Sequence, residues 1–171
     1  MKKIVSLLGI MIFAAGFATA QKYAFVDTEY ILNRIPSYKA AQDQLDKQAD
    51  DWQNEIQGMY DEIDKMYKDF QNEKVLLTED MKVKREEEIV NKEKAVKDLQ
   101  QKYFGRDGSL FKKRQELIKP IQDDVYQAVK EIATEGNYAV IFDTASGANM
   151  LYTNPKYDKS DDVLEKLGYK N

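Results

Sequence analysis

One long stretch of the chain carries apolar residues at the three- and four-residue spacing of an amphipathic helix. Most of the residues between them are charged or carry side-chain amides. A helix with 3.6 residues per turn gathers such a set into one narrow seam. A lone helix cannot bury this seam, so its partner must come from the same chain or from another copy. The seam comprises Tyr38, Ala41, Leu45, Ala49, Trp52, Ile56, Met59, Ile63, Met66 and Phe70.

The composition narrows the classes of function. The 171 residues include no Cys and no His, which excludes thiol nucleophiles, disulfides, imidazole bases and the usual zinc sites. We therefore expect no catalytic residue, no metal and no cofactor. One third of the residues are charged, which is typical of long solvated helices.

The first twenty residues differ from the rest of the chain. Lys2 and Lys3 precede an apolar run over residues 4–17, and residues 18–20 are small. This pattern predicts a secretory signal peptide cleaved after Ala20, with an uncleaved anchor as the less favoured alternative. The mature chain would keep 24 basic and 30 acidic residues, a net charge of −6. That balance argues against nucleic-acid binding.

A second helical pattern runs from Thr78, a predicted helix cap, to about residue 134. Residues 37–77 have a net charge of −5 and residues 78–119 a net charge of +3. Opposite charges favour an antiparallel hairpin that turns near Thr78, although a rod that pairs between chains is the alternative. Gly105, Gly108 and Pro120 interrupt the returning helix, so we expect bending or a local break there.

Short β-type runs lie at both ends of the chain, at residues 23–27, 138–143 and 149–152. Pro36 is expected to end a brief first helix, and Ser37 and Ser160 to cap the helices that follow. Strands from the two ends of the chain can pair only if the long helical segment between them folds back to the place where it began. The sequence thus predicts a mostly α, α+β fold. Residues 21–36 and 135–171 would form a β-body, and residues 37–134 a hairpin arm.

Two Asp-Thr pairs, at Asp27 and Asp143, resemble the turn of an aspartic protease dyad. The motif's glycine is replaced by Ala145, so the favoured interpretation is that each pair ends a strand and begins a turn or cap. An enzyme is not expected.

Several apolar residues of the hairpin are candidates for contacts with weakly bound partners. Met59, Met66 and Phe70 lie on the seam, where a role in the core is favoured. A second stripe, for which core and contact surface are equally plausible, comprises Tyr60, Tyr67, Met81 and Val83. The basic residues Lys82, Lys84 and Arg85 offer a weak contact for anionic lipid, although a solvated helix face is favoured.

This layout resembles the Skp/OmpH family of periplasmic chaperones over essentially the whole mature chain. The resemblance rests on the 23–27 strand, the charged hairpin, residues 119–121, residues 138–143 and residues 157–164. It implies an ATP-independent holdase, a homotrimer whose three arms enclose a cavity for unfolded outer-membrane proteins. The alternative is a structural coiled-coil scaffold or tether of the cell envelope.

The resemblance also assigns roles to residues. The trimer body would be built by Tyr23, Phe25, Val140, Phe142, Leu151 and Tyr152. Gly105, Gly108 and Pro120 would act as hinges that let the arms splay. The best-known family member is strongly basic, whereas this chain is acidic. We therefore do not carry over a lipopolysaccharide site, and we expect apolar burial to contribute more of the client binding.

Overall fold

The computed structural model describes residues 21–147 and 150–169. The predicted signal peptide and Asn149 lie outside these residues. In chain order the elements are β1 (Lys22–Val26), α1 (Thr28–Asn33), α2 (Pro36–Glu73), α3 (Glu79–Phe104), α4 (Ser109–Glu135), β2 (Tyr138–Asp143), a 3₁₀ turn (Pro155–Tyr157) and α5 (Ser160–Lys166). Two compact units result. We call residues 32–125 the hairpin unit, and residues 21–31 and 126 onward the β unit.

The long helix α2 begins two residues earlier than a cap at Ser37 predicts. Its first residue is Pro36, and Ile35 occupies the N-cap position in an extended conformation without a side-chain cap. Proline suits the first helical position because the N–H that it lacks has no partner within the helix there. The prediction that Ser37 caps this helix is therefore wrong.

The turn between α2 and α3 follows the sequence prediction. The Thr78 hydroxyl accepts a hydrogen bond from the Met81 N–H at 3.3 Å, which makes Thr78 the N-cap of α3. Glu79 and Asp80 occupy the first turn of the helix, where carboxylates interact favourably with its dipole.

Helices α2 and α3 run antiparallel within the hairpin unit. Three polar contacts connect them in opposite chain order: Glu73 with Arg85 at 3.6 Å, Glu62 with Lys92 at 2.8 Å, and Glu55 with Tyr103 at 3.0 Å. The seam of α2 is buried against its own chain, in one core cluster with Ile89 and Val96 of α3 and in another with Ile118 of α4. The predicted hairpin is confirmed.

The returning segment is interrupted once. Helix α3 ends at Phe104, a turn spans residues 105–108, and α4 begins at Ser109. Helix α4 continues through Pro120, so no break occurs at the proline. Pro120 has no N–H to donate to the carbonyl of Glu116. Glu116 is exposed, so water can donate a hydrogen bond to this carbonyl instead.

The β unit joins the two ends of the chain. Strands β1 and β2 pair in parallel, with Tyr23 opposite Val140 and Phe25 opposite Phe142. On the other edge of β1, the Lys159 N–H donates to the Phe25 carbonyl at 2.9 Å. Parallel strands require a crossover connection, which the helices supply.

The predicted third strand is wrong in its described part. Met150, Leu151 and Tyr152 lie in irregular chain, and the sheet contains only β1 and β2 in the described residues. Leu151 and Tyr152 are exposed, because residues 158 and 159 already occupy the free edge of β1. Residues 150–152 therefore form no strand, although their side chains are of the β type.

Ser160 begins α5 but does not cap it, which corrects the second capping prediction. The N-cap position is held by Lys159. The buried Ser160 hydroxyl accepts from the Asp27 N–H at 2.9 Å and donates to the Asp158 carboxylate at 2.6 Å. It thereby connects the end of β1 to the start of α5.

Among residues 21–147 and 150–169, none of the helices combines the length and the apolar character needed to span a membrane.

Candidate interaction surfaces

The two Asp-Thr pairs cap local structure. The Asp143 carboxylate accepts from the Thr28 N–H at 3.2 Å, the Thr28 hydroxyl at 2.8 Å and the Ala145 N–H at 3.0 Å. The Asp27 carboxylate accepts from the Tyr30 N–H at 2.9 Å. These contacts agree with the favoured interpretation of turns and caps.

The seven contact candidates of the hairpin divide by exposure. Phe70 is only 4% exposed and belongs to the core, so its side chain is not available at the surface of the chain. Met59 and Met66 are partly buried against the same cluster. The exposed members are Tyr60, Tyr67, Met81 and Val83.

Tyr67 is held in place by the neighbouring helix. Its hydroxyl donates to the Glu93 carboxylate at 2.9 Å, and this hydrogen bond is the main reason why the pKa of Tyr67 is raised. Tyr67 as a residue remains 41% exposed. Because its hydroxyl is held by Glu93, a partner that contacts this side chain would pay less of the entropy cost of ordering it.

Two apolar residues in the turn of the hairpin were not among the predicted contact candidates. Val75 and Leu76 are 90% and 86% exposed, well above the other exposed apolar residues of the hairpin unit. The sequence predicted only that the hairpin turns near Thr78, just after these two residues. The available signal was three consecutive apolar residues at a turn, where polar residues are the rule. Val90 and Phe111 are also exposed and were not among the candidates.

The basic cluster near this turn is largely ion-paired. Lys82 contacts Glu79 at 2.6 Å, and Arg85 contacts both Glu73 and Glu88. Such pairs agree with the favoured interpretation of a solvated helix face.

The β unit exposes five of its six candidate residues. Tyr23, Val140, Phe142, Leu151 and Tyr152 are exposed, and Phe25 is partly buried. Four of the six, with Met150 and Tyr157, line a cleft of about 790 Å³ between the sheet and residues 150–159. Six of the fourteen residues that line the cleft are aromatic, and three are lysines.

The three hinge candidates lie in two different places. Gly105 and Gly108 lie in the turn between α3 and α4, whereas Pro120 lies inside α4.

The sequence profile of the outer membrane protein (OmpH-like) family matches residues 22–167, from β1 through α5. The chain belongs to the OmpH-like family. This OmpH-like chain is 24% identical over 162 residues to the chaperone protein Skp of Yersinia enterocolitica, across 94% of each protein. A crystal structure of an OmpH-like protein from Caulobacter crescentus CB15 shares the fold. The TM-score is 0.68 at 15% identity, over 87% of this chain and 85% of the other.

These comparisons confirm the resemblance drawn from the sequence. The OmpH/Skp-like family is a family of chaperones and not a class of enzymes, and it supports an outer-membrane chaperone role for this chain.

Proposed function

We propose that this OmpH-like chain is an ATP-independent holdase of the periplasm, which binds unfolded outer-membrane proteins and prevents their aggregation. The observation that carries the proposal is the set of apolar side chains on the hairpin that its own core does not use. Tyr60, Tyr67, Met81 and Val83 remain exposed, whereas the seam residues Ile56, Ile63 and Phe70 are buried. Exposed apolar side chains mark a site of interaction where they form a contiguous patch, and we propose that these four do so.

The holdase mechanism follows from many weak contacts. An unfolded protein offers scattered apolar side chains, and each contact alone is weak. Several hairpins around one cavity raise the effective concentration of contact surface and so the overall affinity. Binding the unfolded state lowers its free concentration, which suppresses aggregation without any input of ATP.

The β unit is proposed to assemble three chains. A two-stranded sheet with a few short elements is small for an independent core. Tyr23, Phe142, Leu151 and Tyr152 are exposed in the described part of the chain. Contact with other copies of the chain would bury this apolar area. It would also cover the unpaired outer edge of β2, which could otherwise pair with strands of other molecules. The trimer body would thus comprise these residues together with Phe25 and Val140.

The charge of the chain shapes the proposed client binding. A net charge of −6 for the mature chain gives no general attraction to acidic clients or to anionic lipid. Ion pairing of Lys82 and Arg85 further weakens any lipid contact. Burial of apolar side chains is therefore proposed as the main source of affinity for clients.

Export by a signal peptide cleaved after Ala20 is proposed to place the protein in the periplasm.

The test is an aggregation assay with an unfolded outer-membrane β-barrel protein diluted from urea, followed by light scattering. Stoichiometric protein, without ATP, is expected to delay aggregation. The fourfold variant Tyr60→Ser, Tyr67→Ser, Met81→Ser, Val83→Ser should lose most of this delay. The control Tyr126→Ser, which removes an exposed tyrosine of α4 outside the candidate set, should retain it.

Two results would oppose the proposal. Unchanged protection by the fourfold variant would show that these side chains do not bind the client. No protection by the wild-type protein would favour the scaffold alternative. Native mass spectrometry of the same samples tests the trimer separately.

A further inference from the structure

Two open grooves adjoin on the surface of helix α3. The first, of about 380 Å³, is lined by Val83, Glu86, Glu87, Val90 and Asn91, all of α3. The second, of about 460 Å³, lies between α2 and α3 and shares Asn91 with the first. The two grooves therefore form one continuous surface within the hairpin unit, which we call the α3 groove.

Apolar side chains and carboxylates alternate along the α3 groove. Val83 and Val90 lie two helical turns apart, with Glu86 and Glu87 between them, so all four residues share one face of the helix. Val83 is 53% exposed and Val90 is 58% exposed, because the core of the hairpin packs against a different face of α3, that of Ile89. Both glutamates are exposed as well. A partner that covers this face must therefore offer apolar groups and positive charge together.

The carboxylates of Glu86 and Glu87 are not neutralised within the described part of the chain. Four glutamates and one lysine line the α3 groove. The lysine, Lys92, contacts Glu62 at 2.8 Å. Glu88 contacts an arginine of its own helix at 3.2 Å. Glu86 and Glu87 form no ion pair with any residue that the structure describes. Two negative charges beside exposed valines thus remain to be matched by a partner.

We propose that the α3 groove binds segments of unfolded client proteins in which lysine or arginine stands beside apolar residues. Such a preference rests on the proposed holdase function and specifies the class of client segment that the hairpin selects. Apolar side chains of the client contact Val83 and Val90. The aliphatic stems of its lysine or arginine residues cover the same valines, while their charged ends pair with Glu86 or Glu87. An acidic segment places like charges against these carboxylates and is disfavoured.

Charge selects among client segments, whereas apolar contact supplies most of the affinity. One exposed ion pair changes an affinity by a factor of about 1.4 to 5. Together, Glu86 and Glu87 are therefore expected to favour a basic segment by about two- to thirtyfold. Because both carboxylates are exposed, salt screens this preference.

Peptide binding tests the preference directly. A labelled, disordered peptide of leucine, lysine, glycine and serine is compared with one in which glutamine replaces each lysine, by fluorescence anisotropy at physiological ionic strength. The wild-type protein should bind the lysine peptide about two- to thirtyfold more tightly. The double variant Glu86→Gln, Glu87→Gln should lose most of this preference and bind the glutamine peptide as the wild-type protein does. A preference that survives in the double variant overturns the proposal.

Two further double variants serve as controls. Asp46→Asn with Asp50→Asn removes the same number of charges from exposed positions in the first half of α2, and it should retain the lysine preference. An equal loss in this variant would mean that the overall charge of the chain, and not the α3 groove, selects the peptide. Val83→Ser with Val90→Ser should weaken the binding of both peptides alike. Unchanged binding of both peptides would remove the valines from the site and overturn the proposal.

The wild-type protein gives a test that involves no substitution. Raising the salt concentration to about 1 M should abolish the lysine preference and leave binding of the glutamine peptide largely intact. A lysine preference that persists unchanged at this salt concentration overturns the ionic contact.

Peptide binding and the aggregation assay separate the two proposals. A protein that delays aggregation of the unfolded barrel protein but does not prefer the lysine peptide refutes only the client preference. A protein that does not delay aggregation refutes the holdase function, and the client preference with it.

Discussion

Phe25 and Phe142 lie opposite each other on neighbouring parallel strands, although the whole helical excursion separates them in the chain. This pairing brings the two chain ends into one unit. The connection is reinforced next to the strands, where Asp143 accepts two hydrogen bonds from Thr28 at the start of α1. The β unit therefore depends on polar contacts between segments that are far apart in sequence.

Replacing Asp143 should destabilise the β unit. Asp143→Ala removes a carboxylate that accepts from Thr28 twice and from Ala145 once, and it leaves the two part-buried donors of Thr28 without this acceptor. We expect the free energy of unfolding to fall by about 1–3 kcal/mol. Urea denaturation followed by circular dichroism, at a fixed protein concentration, measures the change. Asp124→Ala, at an exposed position of α4, is the control, and an equal loss in both variants would contradict the prediction.

Truncation of two adjacent residues of α3 should affect stability to very different extents. Ile89 is 2% exposed within the core cluster of the hairpin, whereas Val90 is 58% exposed. Ile89→Ala leaves a cavity and should lower the free energy of unfolding by about 2–5 kcal/mol. Val90→Ala should change it by less than about 0.5 kcal/mol. Chemical denaturation of both variants checks the contrast, and similar effects would mean that α3 packs on a different face.

The elements that the sequence predicted well are those with a strong repeating pattern. The seam of α2 contains ten apolar residues at three- and four-residue spacing. Only a helix places residues with this spacing, such as Leu45, Ile56 and Ile63, on one buried face. The end strands were predictable because their β-type runs stand beside turn signals. Thr78 was predictable because a cap followed by two acidic residues is a local signal.

The errors arose where a residue's role depends on distant neighbours. Ser160 has the sequence of an N-cap, but its hydroxyl bonds to Asp27 at the other end of the chain. Leu151 and Tyr152 have β-type side chains but no strand to join. The stacking of Trp52 on Tyr103 was equally invisible, because periodicity assigns a residue to a face and not to a particular partner.

Glycine substitutions should separate an open position from a closely packed one. Gly58 lies inside α2, and a Cβ there would meet nothing within 4 Å. Gly58→Ala should therefore raise the free energy of unfolding by about 0.5–1 kcal/mol, since alanine loses less backbone entropy in a helix. Gly105→Ala should lower it, because its Cβ would collide with the Gln101 carbonyl. Thermal unfolding tests both, and a lower midpoint for Gly58→Ala would count against an unobstructed helix surface.

A cluster of charges on the β unit predicts a dependence of stability on pH. Hydrogen bonds from Gln127 and then Lys166 hold the pKa of Glu131 below its ordinary value of 4.5. Hydrogen bonds to Glu135 and then Glu131 raise the pKa of Lys166 above 10.5. The Glu131 contribution is thus present above pH 4.5 and is lost as the pH falls through the lowered value. The Lys166 contribution is present below pH 10.5 and is lost as the pH rises through the raised value.

Lys166→Met should therefore lower the thermal midpoint between about pH 5 and pH 10. The difference from wild type should shrink below about pH 4, where the carboxylates become protonated. Because these groups are exposed, 1 M salt should shrink it as well. Lys130→Met removes an exposed lysine from α4, the helix that carries Glu131 and Glu135, and is the matched control. A difference that persists unchanged at pH 3 would show that Lys166 acts through packing of its aliphatic stem and not through its charge.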